Sequence, residues 1–273
     1  MPGVNQPEAD PLTEIERVLL DGDLEIRGRI MPASNATFLA EAVAGDQRLR
    51  CVYKPIAGER PLWDFPHGTL AGRELAAYVV SAALGWDVVP LTLLRDGPEG
   101  PGMVQLWCEP SDSVEAVDLC PVGEVPDGFR HVLDAEDGAG HLVSLVHEDS
   151  VPIRRMAVFD VLVNNADRKG GHVLAMADGH RYGVDHGVCF HTENKLRTVL
   201  WGWARQKLVA EDRADVEAFA ARLEDDDQLW DVLEGLLSEE EVQALARRCR
   251  RLLSVGRMPT PSGAWPSIPW PAF

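Results

Sequence analysis

Alternation of hydrophobic and polar residues is concentrated in the first 108 positions of the chain. Such alternation is typical of β-strands that bury one face. The stretches predicted to form strands are 24–30, 37–43, 48–53, 87–95 and 102–107. A short turn around Gly45 separates the second stretch from the third and predicts a hairpin. An antiparallel sheet is therefore expected in this part of the chain.

Helical periodicity, in which apolar residues recur three and four positions apart, dominates the later part of the chain. The segments predicted to be helical are 13–21, 69–84, 156–163, 212–223, 227–237 and 238–253. Thr13 and Ser238 each precede a glutamate by three positions, which is the spacing of a capping box. Asn164 and Asn165 favour the end of a helix because asparagine tolerates left-handed backbone geometry.

Together the two patterns predict an α+β fold of two lobes, an antiparallel sheet with one helix and then a mainly helical lobe, with a cleft between them. The expected units are a leader with a short helix at 1–23, a sheet-rich lobe at 24–108, an acidic insert or interlobe connection at 109–150, a helical lobe at 151–256 and a Pro/Trp-rich tail at 257–273. We expect the tail to be either loose or extended, with its aromatic side chains packed on the body.

Charge narrows the range of partners. The 273 residues carry a formal net charge of −18, which repels phosphate backbones and anionic lipid headgroups. Nucleic acid is therefore not an expected partner, and stable membrane association is not expected either. No apolar run approaches the roughly 20 residues of a membrane span. The five scattered cysteines favour free thiols, and with an N-terminus unlike a signal peptide they predict a cytoplasmic protein.

The chemistry of the chain is concentrated at 158–190. There an apolar helical run precedes Asp167-Arg168, two short strands follow, and Asp185 begins the sequence Asp-His-Gly. Two aspartates at the edges of one hairpin can converge on one point, which suits a divalent metal ion with a nucleoside triphosphate. The alternative for each is an aspartate that only stabilises a turn. Arg168 is expected either to pair with a phosphate or to brace the loop.

Other positions extend this hypothesis. Lys54 ends a predicted strand and Glu74 lies on the helix that follows, so a carboxylate could hold the lysine towards nucleotide phosphates. The alternative is an unrelated surface lysine and helical glutamate. Ser34 and Asn35 lie where a loop could cover phosphates, although an ordinary turn fits equally well. His172 could ligate Mn²⁺ or a transition metal ion, or instead hydrogen-bond to a phosphate or to Asp185.

Two motifs carry a resemblance to a known family. The run Phe159-Asp160-x-Leu162-x-x-Asn165-x-Asp167-Arg168 resembles the catalytic loop of the phosphatidylinositol 3/4-kinases, within the protein-kinase-like fold, and of the HipA-type kinases. Asp185-His186-Gly187 resembles their metal-binding Asp-Phe-Gly motif. The chain as a whole resembles a bacterial family related to those lipid kinases, in which NADRKGGHVL and VDHGVCF occur much as they do here.

The resemblance implies a role for each matching position. It places Lys54 at the α- and β-phosphates with Glu74 as its partner, and it makes Asp167 the catalytic aspartate and Asp185 the main metal ligand. It also implies that 103–107, with Gln105 and Trp107, is the hinge that meets adenine through backbone groups. His172 stands where those kinases usually have an asparagine that binds a second metal ion, and Lys169 stands where they often have histidine.

These observations predict an ATP-dependent phosphotransferase that uses Mg²⁺ or Mn²⁺ and acts on a hydroxyl of a protein or small molecule. The net charge disfavours a phosphoinositide acceptor. A basic cluster after Asp185 could bind a phosphorylated small molecule or an acidic peptide, or could be a solvated helix face; its members are Lys195, Arg197, Arg205 and Lys207. Two alternatives remain open: a kinase-like enzyme that transfers AMP, and a nucleotide-binding pseudokinase or scaffold.

Overall fold

The computed structural model describes residues 12–31, 35–60, 62, 64–65, 70–263 and 265–273. Within these residues the fold is mixed α/β, with antiparallel sheets and six helices. The helices are α1 (Glu14–Asp21), α2 (Leu70–Leu84), α3 (Val151–Val163), α4 (Ala210–Asp225), α5 (Asp227–Glu234) and α6 (Glu239–Val255). The strands are β1 (Asp23–Arg29), β2 (Phe38–Ala44), β3 (Gln47–Pro55), β4 (Thr92–Gly97), β5 (Gly100–Leu106), β6 (Val117–Pro121), β7 (Phe129–Glu136), β8 (Leu142–Glu148), β9 (Val173–Ala175) and β10 (Arg181–Gly183).

The first five strands form one antiparallel sheet with the order β1-β2-β3-β5-β4, which confirms the predicted sheet. Tyr53 and Val104, on neighbouring strands, bury their side chains in a core that includes Leu19 of α1. Because successive side chains of a strand point to opposite faces, Lys54 emerges on the other side of the sheet, opposite Met103. The sheet therefore packs one face against α1 and presents Lys54 from the other.

The segment between the first sheet and α3 forms a separate antiparallel sheet with the order β6-β8-β7. His147 of β8 links this sheet to the later part of the chain, because its Nε2 accepts a hydrogen bond from the Gly202 N–H at 3.0 Å. Its ring also stacks on Trp203, with the ring centres 4.6 Å apart. Burial lowers the pKa of His147 to about 4, so the imidazole is neutral at neutral pH and able to accept this bond.

Helix α3 runs through the larger of the two cores, where Phe159 and Leu162 are completely buried. The Ser150 hydroxyl caps its first turn, and the helix ends as expected at Asn164, whose φ of 55° is left-handed. The capping boxes expected at Thr13 and Ser238 are both present, at the starts of α1 and α6. Among the described residues, no helix has the length and apolar character needed to cross a lipid bilayer.

A buried ion pair joins α2 to α6. The Arg73 Nη2 atom lies 2.6 Å from Glu241 Oε1, and Arg73 Nη1 donates a hydrogen bond to the Cys189 carbonyl at 2.8 Å. Helix α2 is thus fixed to the helical part of the molecule as well as packed near the sheet. This double attachment positions the next residue of α2, Glu74, between the two parts.

Residues 265–273 form an extended segment that lies along the loop carrying Asp167. The Ser267 carbonyl accepts hydrogen bonds from the Thr198 N–H at 3.0 Å and from the Trp201 indole at 2.9 Å. Further along, the Ala272 carbonyl accepts the Gly170 N–H at 2.7 Å. The segment packs on the body through these backbone bonds and through Trp265, whose ring lies 4.3 Å from Lys195 Nζ, whereas Trp270 is 84% exposed.

Candidate active site

Lys54 lies between two carboxylates that come from different parts of the fold. Its Nζ atom is 2.6 Å from Glu74 Oε1 on α2 and 2.8 Å from Asp185 Oδ1, two residues after β10. The Glu74 side chain is 2% exposed, whereas that of Asp185 is 52% exposed. The lysine is therefore held by the buried carboxylate of Glu74 and also contacts the carboxylate of Asp185, which faces solvent.

The three charges alter one another's protonation. Burial opposes the charge on Lys54, but the carboxylates of Asp185 and Glu74 outweigh it and raise the pKa of the lysine. The Lys54 ammonium lowers the pKa of Asp185, which therefore stays ionised. Burial raises the pKa of Glu74, although Lys54 and the His186 N–H, which donates to Glu74 Oε2 at 2.8 Å, both stabilise its charged form. At neutral pH the lysine and Asp185 are both charged.

His172 lies on the other side of the Asp185 carboxylate from Lys54. Its Nε2 atom is 3.4 Å from Asp185 Oδ2, and its Nδ1 atom is buried without a hydrogen-bond partner among the described residues. Burial lowers the pKa of His172, against the opposing charges of Asp185 and Asp167. A neutral imidazole beside an ionised carboxylate is a donor pair able to ligate a divalent metal ion.

The backbone at Asp185 has a φ of 62°, in the left-handed region. Aspartate adopts this conformation more readily than most residues because its short side chain bonds locally. This turn follows directly on β10 and directs the carboxylate back towards β3. Asp87, Asn164, Phe190 and Arg205 also have a positive φ, so this conformation orients the Asp185 side chain but does not by itself mark a functional position.

Arg168 is completely buried and forms an ion pair with Asp160, with Nη2 3.0 Å from Oδ1. Its Nη1 atom donates to the carbonyls of His172 at 3.2 Å and Val184 at 3.1 Å, which precede and follow the β9–β10 hairpin. Gly183 leaves space for the guanidinium, because a Cβ there would lie 2.9 Å from Nη2. Of the two roles expected for Arg168, the structure favours bracing the loop over contact with a phosphate.

Asp160 is the centre of this buried network, and the sequence pattern predicted no role for it. Besides Arg168, it accepts hydrogen bonds from Asn165 Nδ2 at 3.0 Å and from Thr198 Oγ1 at 2.9 Å. A buried carboxylate is stable only when it is paired and hydrogen-bonded. The available signal was a single acidic residue inside an otherwise apolar helical run, which predicts a buried partner without identifying it.

Asp167 keeps an accessible side chain beside this network. Its N–H donates to Asn165 Oδ1 at 2.9 Å, which fixes the turn, and its carboxylate is 28% exposed. Two cations flank the carboxylate: Lys169 Nζ at 3.5 Å from Oδ2 and Arg197 Nη2 at 3.8 Å from Oδ1. Asn165 thus makes the turn, and the Asp167 carboxylate remains available to a ligand.

His186 connects the two charge networks. Its backbone N–H donates a hydrogen bond to Glu74 Oε2, and its ring Nε2 atom accepts a hydrogen bond from Arg168 Nη2 at 2.6 Å. Because burial lowers the pKa of His186 well below the usual value, the ring is neutral and Nε2 carries a free lone pair. The Lys54–Glu74 pair and the Arg168–Asp160 pair are therefore linked through one residue.

Other positions predicted from the sequence, Asn35, Gln105 and Trp107, have hydrogen-bond partners outside this cluster. Asn35 Oδ1 accepts the Arg60 N–H at 2.9 Å, and Ser34 falls outside the described residues. Gln105 is buried within β5, where its side chain donates to Thr92 Oγ1 at 2.9 Å. The Trp107 N–H bonds to the Arg50 carbonyl at 3.0 Å, so this backbone donor is already used.

The donor set of the cluster fits a metal ion that takes most of its ligands from a substrate. Across the described part of the chain, no three His, Cys, Asp or Glu side chains come together as a metal site would require. Mg²⁺ in phosphotransferases is commonly held by one or two carboxylates, with the remaining ligands from phosphates and water. Asp185 supplies one such carboxylate with the His172 imidazole beside it, and the two residues alone do not make a structural zinc site.

Comparisons with known proteins give one clear relationship. No protein-family model matches the chain. A crystal structure of the Helicobacter pylori proinflammatory kinase CtkA covers 87% of this chain and 96% of its own, at 12% identity and a TM-score of 0.46, which does not establish a shared fold. Protein Rv2133c of Mycobacterium tuberculosis (strain ATCC 25618 / H37Rv) is 54% identical over 265 residues, which cover 94% of each chain. The chain therefore belongs to the same family as Protein Rv2133c.

Proposed function

We propose that this protein is an ATP-dependent phosphotransferase that moves the γ-phosphate to a hydroxyl of a protein or small-molecule acceptor. The observation that carries the proposal is the position of Lys54, held 2.6 Å from buried Glu74 and 2.8 Å from half-exposed Asp185. A lysine held by a helical carboxylate beside a metal-binding aspartate is the arrangement with which protein kinases bind the phosphates of ATP.

Lys54 and Glu74 bind and orient the nucleotide phosphates. Because Glu74 is fixed by the His186 N–H, it keeps the ammonium in place when a phosphate displaces Asp185 from it. The pKa of Lys54 is raised by both carboxylates, so the cation persists throughout the neutral range. A permanent positive charge is what stabilises phosphate oxygens in a binding site.

Asp185 and His172 would hold the divalent ion, Mg²⁺ or Mn²⁺, which supplies positive charge to the phosphate oxygens when bound. An imidazole in place of an amide oxygen favours the softer Mn²⁺. The unpartnered Nδ1 and the neutral state of the His172 ring are consistent with this role, since only the neutral ring has a lone pair to donate.

Asp167 positions the acceptor. Its partly exposed carboxylate accepts the hydrogen bond of the acceptor hydroxyl, and Lys169 and Arg197 fix its orientation. The hydroxyl oxygen forms a bond to the γ-phosphorus, the bond to the bridging β–γ oxygen breaks, and ADP leaves with that electron pair. The hydroxyl proton passes to the Asp167 carboxylate. Arg168 and Asp160 hold the loop and do not touch the reactants.

The proposal is tested by incubating the protein with Mg²⁺ or Mn²⁺ and ATP labelled at either the α- or the γ-phosphate. We expect ADP to form and the γ-label to appear on an acceptor hydroxyl or on the protein itself. Release of pyrophosphate, with transfer of the α-label to the acceptor, would instead identify AMP transfer. If ATP gives neither turnover nor a metal-dependent thermal shift, the enzymatic proposal fails.

A further inference from the structure

A groove of about 800 Å³ lies between α6, the 192–205 segment and the residues after Gly256. Its size is within the range of small-molecule binding sites. The charged residues that line it are Arg205, Arg247, Arg248, Arg251 and Arg257. Within the described chain, no aspartate or glutamate lines this groove.

In the part of the chain that the structure describes, the side chains of these arginines form no ion pairs, although Arg247 also lines a neighbouring groove that contains Glu224, Asp226 and Asp227. Across the described residues, none of the five lies within ion-pair distance of a carboxylate, although acidic residues outnumber basic ones by 44 to 26. Arg250 on the same helix provides a contrast, because it lies 2.9 Å from Glu224. The chain thus places five arginines around one groove of a strongly acidic protein, which gives the groove a local positive potential that attracts anions.

Arg248 gives an independent indication of a ligand. Its Nε atom donates to the Leu162 carbonyl at 2.6 Å and its Nη1 atom to the His191 carbonyl at 3.2 Å. Its Nη2 atom is buried and has no hydrogen-bond partner among the described residues. A buried donor without an acceptor is unfavourable, and more so when it is charged. Burial lowers the pKa of Arg248 to about 10, so the guanidinium still carries its charge at neutral pH.

The neutral part of the lining suits the same kind of ligand. Hydroxyl and amide side chains also line the groove, and they are those of Thr192, Asn194, Thr260 and Ser262. Planar guanidinium groups bind phosphate oxygens in pairs, and hydroxyl and amide groups supply further donors. Apolar contacts from Trp201 and Met258 complete the surface.

We propose that this groove binds a small molecule that carries two or more phosphate groups. The lining does not include Lys54, Glu74 or Asp185, so the site is additional to the proposed nucleotide site. The shared chemistry is a cluster of phosphate groups, as found on a free polyphosphorylated compound or on a phosphorylated lipid headgroup.

The groove also changes the interpretation of the basic cluster seen in the sequence. Lys195 Nζ lies 3.3 Å from Asp64 Oδ2 and 4.3 Å from the centre of the Trp265 ring, and Arg197 contacts Asp167. Of the four cluster members, Arg205 is the one that reaches the groove, where arginines from α6 join it. The anion site is therefore assembled from distant parts of the sequence.

Calorimetric titration of the full chain with inorganic tripolyphosphate, and separately with inositol hexakisphosphate, tests the proposal. We expect both probes to bind, with an affinity that falls as salt concentration rises. The exposed Arg251 is the first variant, since Arg251→Ala should weaken binding about tenfold without loss of folding. Arg250→Ala is the matched control, on the same helix but paired with Glu224. Equal affinities of the two variants, or no binding of either probe, would overturn the proposal.

Two further arms complete the test. The inositol hexakisphosphate binding that Arg251→Ala weakens should persist in Lys54→Met, so a failure of the proposed kinase activity is distinguishable from a failure of this site. Vesicles that carry a bisphosphorylated inositol headgroup, compared with the same headgroup free in solution, distinguish the sources. No gain on vesicles assigns a soluble ligand, whereas a gain that Arg251→Ala removes assigns a lipid headgroup.

Discussion

Lys54 Nζ lies 2.8 Å from Asp185 Oδ1, and this contact joins two residues that are 131 positions apart in the chain. Lys54 belongs to the first sheet, and Asp185 follows a hairpin in the later part of the molecule. Their pairing joins the two parts of the chain that form the candidate active site. A phosphate that enters the site must compete with Asp185 for the ammonium, while Glu74 retains its hold on it.

Removal of the lysine should abolish most nucleotide affinity. In Lys54→Met, the phosphates lose their cation, and we expect ATP binding to weaken about 10- to 100-fold. Fluorescence titration with an ATP analogue measures the change. Lys207→Met serves as the control, because Lys207 is exposed and lies outside the group of residues around Lys54. Unaltered ATP affinity in Lys54→Met would show that this lysine does not contact phosphate.

Substitutions of Asp167 and of Asp185 should have different effects, the first on turnover and the second on nucleotide binding. Asp167→Asn keeps the size of the side chain but removes the proton acceptor, so turnover should fall about 10²- to 10⁴-fold with nucleotide affinity retained. Asp185→Asn should remove metal-dependent nucleotide binding altogether. Parallel measurement of thermal shift and ATP turnover distinguishes the two, and equal loss of both functions in Asp167→Asn would contradict the division of roles.

His172 should determine which metal ion supports activity. If its imidazole is a ligand, His172→Asn replaces it with an amide oxygen and should shift the preference from Mn²⁺ towards Mg²⁺. Turnover is measured at matched concentrations of each ion. An unchanged metal profile would leave His172 with a structural role beside Asp185.

Asp160 should be essential for stability. Asp160→Asn leaves the completely buried Arg168 without its counter-ion, which should lower the free energy of unfolding by about 3–5 kcal/mol. Urea denaturation followed by circular dichroism measures this value. Asp231→Asn, on the exposed face of α5, should be nearly neutral. A loss below about 1 kcal/mol in Asp160→Asn would show that the pair is dispensable.

Stability should decrease as the pH falls below neutrality because buried imidazoles must become protonated. Burial lowers the pKa of His147 from the ordinary histidine value of 6.5 to about 4, so between these values the unfolded chain binds the extra proton. The contribution of His147 is fully present above the unfolded pKa and is lost as pH falls through the folded pKa, at a cost of about 3 kcal/mol. Unfolding measured against pH for the wild type and His147→Gln tests this, and identical slopes would refute it.

The sequence predicted the sheet, the capping boxes, the end of α3 at Asn164 and the pairing of Lys54 with Glu74. Each depends on local spacing or on the need of a charge for a partner. It did not predict β6, β7 and β8, because that segment is rich in Pro and Gly and the register of β7 shifts between His131 and Leu133. A shift of this kind interrupts the alternation from which strands are predicted.

Contacts between residues that are distant in the sequence could not be predicted from it either. The role of Asp160 depends on Arg168 and Thr198, and the side-chain partner of Gln105 is Thr92. Residue type reveals that a buried polar group needs a partner, but only the fold shows which one it has. The basic cluster illustrates the same limit. Lys195 lies against the Trp265 ring, Arg197 contacts the Asp167 carboxylate, and Arg205 lines the groove.

The packed segment at 265–273 has a consequence for the order in which the protein matures on the ribosome. Chains emerge from the N-terminus at about 5–20 residues per second, and early parts begin to fold before later ones appear. The Gly170 N–H in the loop that carries Asp167 donates to the Ala272 carbonyl, and the N–H of Thr198, which bridges to this loop at Arg168, donates to the Ser267 carbonyl. Both hydrogen bonds can form only after residues 265–273 have been synthesised, so the loop that carries Asp167 should reach its final geometry late in synthesis.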